Sequence, residues 1–275
     1  MDSLPPELHS LIIERTCASP HAFRAMSLTN TYFHAITASF RFYTIALSSW
    51  ERAARLLPLL EATPAPKRNI RRLFLGPDLE FAPALALNLL RLAAPTLQDL
   101  ALIFSSSCAL LGAVFRVEFP RLKAMMVRGF YPIPRPGSFP ALTHLHLDGN
   151  RSPVGVPSAI LYAFRSLAHL RISGLRAAPE FARELRDALD IDFEQNTDLQ
   201  LAPNLRCISL DVQLPKRDQP NQITNLQNAE MRHILLELDQ SAGKRKDGPH
   251  VEYSEGDVEE IDALKVKLAW LNMPI

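Results

Sequence analysis

What most constrains this chain is a spacing, Leu-x-x-Leu-x-Leu or a close apolar variant, that recurs from residue 70 onward. It stands at Ile70-Leu73-Leu75, Leu97-Leu100-Leu102, Leu122-Met125-Val127, Leu142-Leu145-Leu147, Leu167-Leu170-Ile172 and Leu205-Ile208-Leu210. The steps between first residues are 27, 25, 20, 25 and 38. Self-similarity at such a period marks units that cannot bury their own apolar side chains and must stack on their neighbours to make a continuous core. The longest step holds an insertion.

Each copy predicts one strand followed by one helix. Proline stands two residues ahead of the leading leucine at Pro95, Pro120, Pro140 and Pro203, where it ends a helix and begins an extended run. Helical apolar spacing fills the gaps over 84–93, 108–115, 158–164 and 179–189. Four of the five steps fall within the roughly 20 to 29 residue period of leucine-rich repeats. The fold class expected is an α/β repeat: residues 70–275 form an irregular leucine-rich-repeat solenoid with parallel strands on the concave face and helices on the convex face. Residues 46–69, a helix from about Ser48 and the stretch Pro64-Ala65-Pro66-Lys67-Arg68, are expected as a stiff connection. Two helices, over 223–239 and 256–271 with a short strand near His250 to Tyr253, are expected to close the last unit, because an open stack exposes its core.

The first three dozen residues follow another pattern. Leu4, Leu8, Leu11, Ile12, Phe23, Met26, Leu28, Phe33 and Ile36 fall at the spacings of three short amphipathic helices. A unit below about 40 residues rarely stabilises itself without disulfides, metal or association, so this surplus apolar surface predicts a docking module over residues 1–45.

The same residues resemble an F-box. The opening Leu-Pro and Glu-Leu stand at Leu4, Pro5, Glu7 and Leu8, the middle apolar positions at Ile12, Ile13, Phe23 and Leu28, and the Ser-x-x-Asn-x-x-aromatic close at Ser27 to Phe33. Phe33 takes the place where many members carry Trp. The resemblance implies attachment to a Skp1-type adaptor and a cullin ligase core, with Leu4, Pro5, Leu8, Ile12 and Phe33 as docking anchors. The rest of the chain would then select a protein target for ubiquitination. The competing expectation is a leucine-rich-repeat scaffold without ligase function, whose first helices only cap the stack.

Composition narrows the partners. A formal net charge of +1 supplies no basic field for nucleic acid and no acidic excess for cations. The most apolar stretch, residues 81–94, is interrupted by Asn88 and Arg91 and is shorter than the roughly 20 residues of a membrane span, so no membrane partner is expected. The sequence opens without a basic, then apolar, leader. Cys17, Cys108 and Cys207 are odd in number and far apart, which fits a reducing compartment, cytoplasmic or nuclear, and small buried apolar side chains. Lys244, Arg245 and Lys246 are expected in an exposed loop.

In the strands the leucines point to the core, and the residues between them point to the concave side. That alternation predicts a target-binding face of Arg72 and Phe74, Asp99 and Ala101, Ala124, Met126 and Arg128, His144, His146 and Asp148, His169, Arg171 and Ser173, and Cys207, Ser209 and Asp211. Neighbouring parallel strands lie about 4.8 Å apart, so His144 and His169 are expected side by side. His144-x-His146-x-Asp148 has the ligand types of a zinc hydrolase, but Gly149 follows where that pattern has another histidine. No phosphate-binding glycine loop and no Gly-x-Ser-x-Gly is present, and Asp187, Asp190, Asp192 and Glu194 lack calcium-loop spacing. The expectation is a binding protein with no cofactor and no catalytic residues.

Overall fold

The computed structural model describes residues 5–16, 20–105, 108–132, 137–190, 204–213, 222–242, 249–256 and 263–271. Eight strands pair in strict chain order into one all-parallel sheet: β1 (Thr44–Leu47), β2 (Arg72–Leu75), β3 (Asp99–Ile103), β4 (Ala124–Arg128), β5 (His144–Asp148), β6 (His169–Leu175), β7 (Cys207–Gln213) and β8 (His250–Gly256). Six of these, β2 to β7, are the strands that the leucine spacing predicts. The chain is therefore an α/β fold on an open parallel sheet.

Six helices cover one face: α4 (Trp50–Ala62), α5 (Pro83–Ala93), α6 (Cys108–Val114), α7 (Val156–Ala163), α8 (Pro179–Asp190) and α9 (Gln222–Ala242). Their buried apolar residues and the strand leucines form a single core that includes Leu60, Leu90, Leu111, Ile160, Phe181 and Leu235. Within it Phe139 stacks on Phe119 at 5.6 Å and meets Phe115 and Phe164 edge-on, where the span between β4 and β5 has no helix among its described residues. Burial of this one face, at about 25 cal/mol per Å² of apolar area, holds the sheet.

Just ahead of each strand the same hydrogen bond recurs from unit to unit. The N–H of Gln98 donates to Arg71, that of Lys123 to Gln98, of Thr143 to Lys123, of Ala168 to Thr143 and of Arg206 to Ala168, all at 2.8–2.9 Å. Past the strands, Gly129 has φ of 124°, and a Cβ there would lie 2.8 Å from the Phe104 carbonyl oxygen, so only glycine fits without displacing the backbone.

Three differences from the expected layout stand out. A seventh apolar triplet, Phe42-x-x-Ile45-x-Leu47, builds β1, so the sheet begins at residue 44. Residues 46–69 hold part of β1 and α4, whose Ala53 and Leu60 are buried in the main core. The last helix, α10 (Ala263–Leu271), does not close the final strand. It crosses to the beginning of the sheet and lies on the face opposite α4–α9, against Phe74, Ala101 and Ile103.

At the N-terminus α1 (Pro6–Thr16), α2 (Pro20–Ser27) and α3 (Thr31–Ala38) gather around Ile13 and Tyr43, with Phe23, Met26, Phe33, Ile36 and Phe40 packed against them. Asn30 caps α3 by accepting from the Phe33 N–H at 2.8 Å. Glu14 ties this cluster to the sheet, accepting from the Tyr43 hydroxyl at 2.9 Å and pairing with Arg71 at 3.2 Å.

Candidate functional sites on the first helix and the open sheet face

Two surfaces carry the residues that the sequence singles out. On α1 the helical period sends Ile13 inward and leaves Leu8, Leu11 and Ile12 on the outside, 42%, 56% and 44% exposed. Pro5 is also exposed, and its carbonyl accepts from the Leu8 N–H at 3.0 Å, fixing the start of the helix. Leu4 lies outside the described residues. Phe33 is not on this surface as expected: its ring is half-buried inside the cluster, edge-on to His9 and Tyr32, so it supports α1 from within. Sequence reasoning gave too little weight to Leu11, and to Leu28 and Tyr32, which are 74% and 45% exposed. Tyr32 is held beside α1 by a 2.8 Å hydrogen bond between its hydroxyl and His9 Nδ1.

The second surface is the open face of the sheet, away from α4–α9. Register places the outward residues in straight rows. The middle row runs Ala46, Phe74, Ala101, Met126, His146, Arg171, Ser209 and Glu252. It is apolar up to β4 and polar from β5 on. The signal for β8, missed as a contributor, is the alternation His250-Val251-Glu252-Tyr253-Ser254.

The apolar half is occupied. Trp270 of α10 packs its ring 5.7 Å from that of Phe74, and Ala263, Val266 and Leu271 complete the contact. Arg72, expected on an accessible face, is instead 2% exposed. Its guanidinium lies over the Trp270 ring at 4.6 Å and donates to the carbonyl oxygens of Trp270 at 2.5 Å and Leu271 at 3.4 Å. Asp99 sits 3.7 Å from Arg72 Nε, beyond hydrogen-bond length. Burial pulls Arg72 below the usual guanidinium value and pushes Asp99 above the usual carboxylate value, and each opposes the shift of the other. Phe74 is buried with Arg72, and Met126 is partly so. These residues cannot meet a target while α10 is seated.

The polar half is uncovered among the described residues. His144 and His169 stack at 4.5 Å with planes 11° apart, the side-by-side placement expected of them. Burial, then the neighbouring His169, holds the His144 imidazole below its ordinary value. Ser173 donates to Asp148 Oδ1 at 3.0 Å and lies 2.8 Å from His146 Nε2. Since the single hydroxyl proton goes to the carboxylate, His146 is the donor to Ser173. A nucleophilic serine needs the reverse, an imidazole that accepts its proton, so this trio is a structural network. Asp148 is buried and pairs with Arg128 at 3.5 Å, which takes it off the surface. Arg171 reaches Asp211 at 2.8 and 2.7 Å, Ser254 donates to Asp211 at 2.5 Å, and Ser209 donates to Glu252 at 3.1 Å.

Cys207, expected buried, is half-buried on this same face with Sγ 3.6 Å from Ser209 Oγ. Cys17, the basic run at Lys244 to Lys246, and Asp192 and Glu194 lie outside the described residues. Among the described residues no three His, Cys, Asp or Glu side chains converge as a metal set. His144 faces His169, while His146 and Asp148 both turn to Ser173. No helix among the described residues is long and apolar enough to cross a membrane. No family model, no curated protein and no solved structure matches this chain.

Proposed function

We propose that the chain is a leucine-rich-repeat solenoid carrying an F-box-like helical module, and that it serves as the substrate-recognition subunit of an SCF-type ubiquitin ligase. The observation that carries this reading is the exposed stripe of Leu8, Leu11 and Ile12 on a helix that already has an inward face. A helix apolar on both sides has a second surface to cover, and large aliphatic side chains contribute about 1.5–3 kcal/mol each when buried. The Skp1-type adaptor would bind here, and the sheet face would hold the target. The work done is positional: tethering a target lysine near the ubiquitin donor makes its encounter effectively intramolecular. No residue of this chain takes part in bond making in this reading.

The tie from Glu14 to Tyr43 and Arg71 favours a second reading, in which α1–α3 are the cap of a scaffold that meets no adaptor. Capture of purified Skp1-type adaptor by the whole chain separates the two. The unmodified protein is expected to bind. A Leu8→Asp/Ile12→Asp double variant should lose at least about 30-fold in affinity, the equivalent of roughly 2 kcal/mol at a central interface anchor, with its melting temperature retained. Absence of capture by the unmodified chain leaves the scaffold reading.

A further inference from the structure

Four neighbouring strands begin on side chains of the kind that bind soft metal ions. His144, His169, Cys207 and His250 are the first residues of β5, β6, β7 and β8, and the register sets them side by side in one straight row on the open face. Three of the chain's eight histidines and one of its three cysteines thus fill four consecutive positions, far above what that composition gives by chance. In β2, β3 and β4 the same row reads Arg72, Asp99 and Ala124, so the repeat itself does not demand these residue types. In the rotamers of the structure no three of these groups converge, but what holds them apart is weak. Cys207 Sγ lies 3.6 Å from Ser209 Oγ and His250 Nε2 lies 3.7 Å from Glu252 Oε1, beyond hydrogen-bond length. His169 and His250 are exposed, and Cys207 is half-buried.

We infer that His169, Cys207 and His250 form a zinc site on the open face, assembled by rotation of the three side chains over a fixed backbone. Reach selects these three from the four. Neighbouring strands lie about 4.8 Å apart, and a bound zinc ion sits about 2.3 Å from a thiolate sulfur and about 2.0–2.1 Å from an imidazole nitrogen. A short cysteine between two long imidazoles meets those lengths, because both rings lean inward above the sulfur. A set centred on His169 does not, since its own ring lifts the ion out of reach of Cys207. His144 is then one strand too far and keeps its place stacked on His169 at 4.5 Å. Cys207 binds as the thiolate and releases its proton to solvent, and a fourth position is left to water. Thiolate with imidazole selects zinc over magnesium and calcium, which take oxygen ligands. Glu252, beside His250, supplies the carboxylate that accepts from the free ring N–H of a metal-bound histidine. The inference goes beyond the ligase reading and holds or fails without it.

The test uses the full chain, reduced, stripped with chelator and free of any histidine tag, with zinc ion titrated against a chromophoric chelator. The unmodified protein should bind one equivalent. Cys207→Ser and His250→Ala should each weaken binding by at least about 100-fold, the upper end of the range for losing an orienting partner, and Glu252→Gln should stay within that range. His144→Ala should leave the affinity unchanged. Cobalt(II) in place of zinc should give a thiolate-to-cobalt charge-transfer band in the near ultraviolet, absent in Cys207→Ser and kept in Cys17→Ser/Cys108→Ser. Melting temperatures in chelator show that each variant is folded, and His169→Gln is a second route to the same loss should Cys207→Ser not fold. Failure to bind one equivalent overturns the inference, as does an affinity that ignores Cys207→Ser and His250→Ala. A His144→Ala variant as damaged as His250→Ala overturns the assignment of the three ligands.

Discussion

One face of one sheet carries two kinds of surface. Along the middle row, Phe74, Ala101 and Met126 lie under α10, while His146, Arg171, Ser209 and Glu252 have no helix over them among the described residues: Ser209 pairs with Glu252 within the row, and His146 and Arg171 reach Ser173 and Asp211 beside it. The backbone is the same in both halves, so the difference is side-chain chemistry alone. Where the row is apolar the chain supplies a lid; where it is polar, neighbouring strands satisfy each other through Arg171–Asp211 and Ser209–Glu252 contacts. A parallel sheet needs both faces covered or solvated, and this one meets that need by two means.

The contrast is tested most severely at Phe74. Replacing it with alanine should cost about 3 kcal/mol in urea denaturation, since a fully buried ring is lost from between strand and helix; a cost below about 1 kcal/mol would mean that α10 does not cover this half. Acid probes the other half. Burial, with the Arg171 guanidinium, holds the His146 imidazole down at about 4, against pulls upward from Asp148 and Asp211. An unfolded chain protonates this group near 6.5 while the folded chain does not, so stability that is complete above pH about 6.5 drains as the pH falls toward about 4, by about 2–3 kcal/mol. The His146→Asn variant should lose less stability between pH 7 and pH 4.5 than the unmodified chain, measured by denaturation at each pH. Burial of His144 and its neighbour His169 act in the same direction.

Arg72→Gln should cost about 1–2 kcal/mol, because the carbonyls of Trp270 and Leu271 lose charged donors while the ring contacts remain. Emission of Trp270 in a Trp50→Phe background should shift to the red as α10 loosens. The smallest effect belongs to Arg171→Ala, one step beyond His146 on the row and more than half exposed, at less than about 1 kcal/mol. If it cost as much as Phe74→Ala, the division of the face into a packed half and a solvated half would be wrong.

Six strands were legible in the sequence because leucine at fixed spacing leaves one arrangement that buries every copy. The strand β1 escaped because its triplet is Phe42, Ile45 and Leu47, separated by only Ser48 and Ser49 from a helix that looked like a linker. The rows of the open face were legible to the residue, including the pairing of His144 with His169. What the strands could not tell was the destination of the final helix. Its stripe of Val266 and Trp270 said that something apolar lies beneath it, and the matching signal was the set of apolar outward positions Phe74, Ala101 and Ile103, 160 or more residues earlier. Complementarity between distant segments has no local period, so pattern reading along the chain does not find it.

The clasp between Arg72 and Trp270 joins residues 198 apart in a molecule whose strands otherwise touch only their sequence neighbours. Linear arrays of that kind come apart from their ends, one module after another. Fastening the tail across the opening strands makes the two ends share their fate: fraying at either one has to break a contact that the other holds, and the array acquires some of the all-or-none unfolding of a compact body.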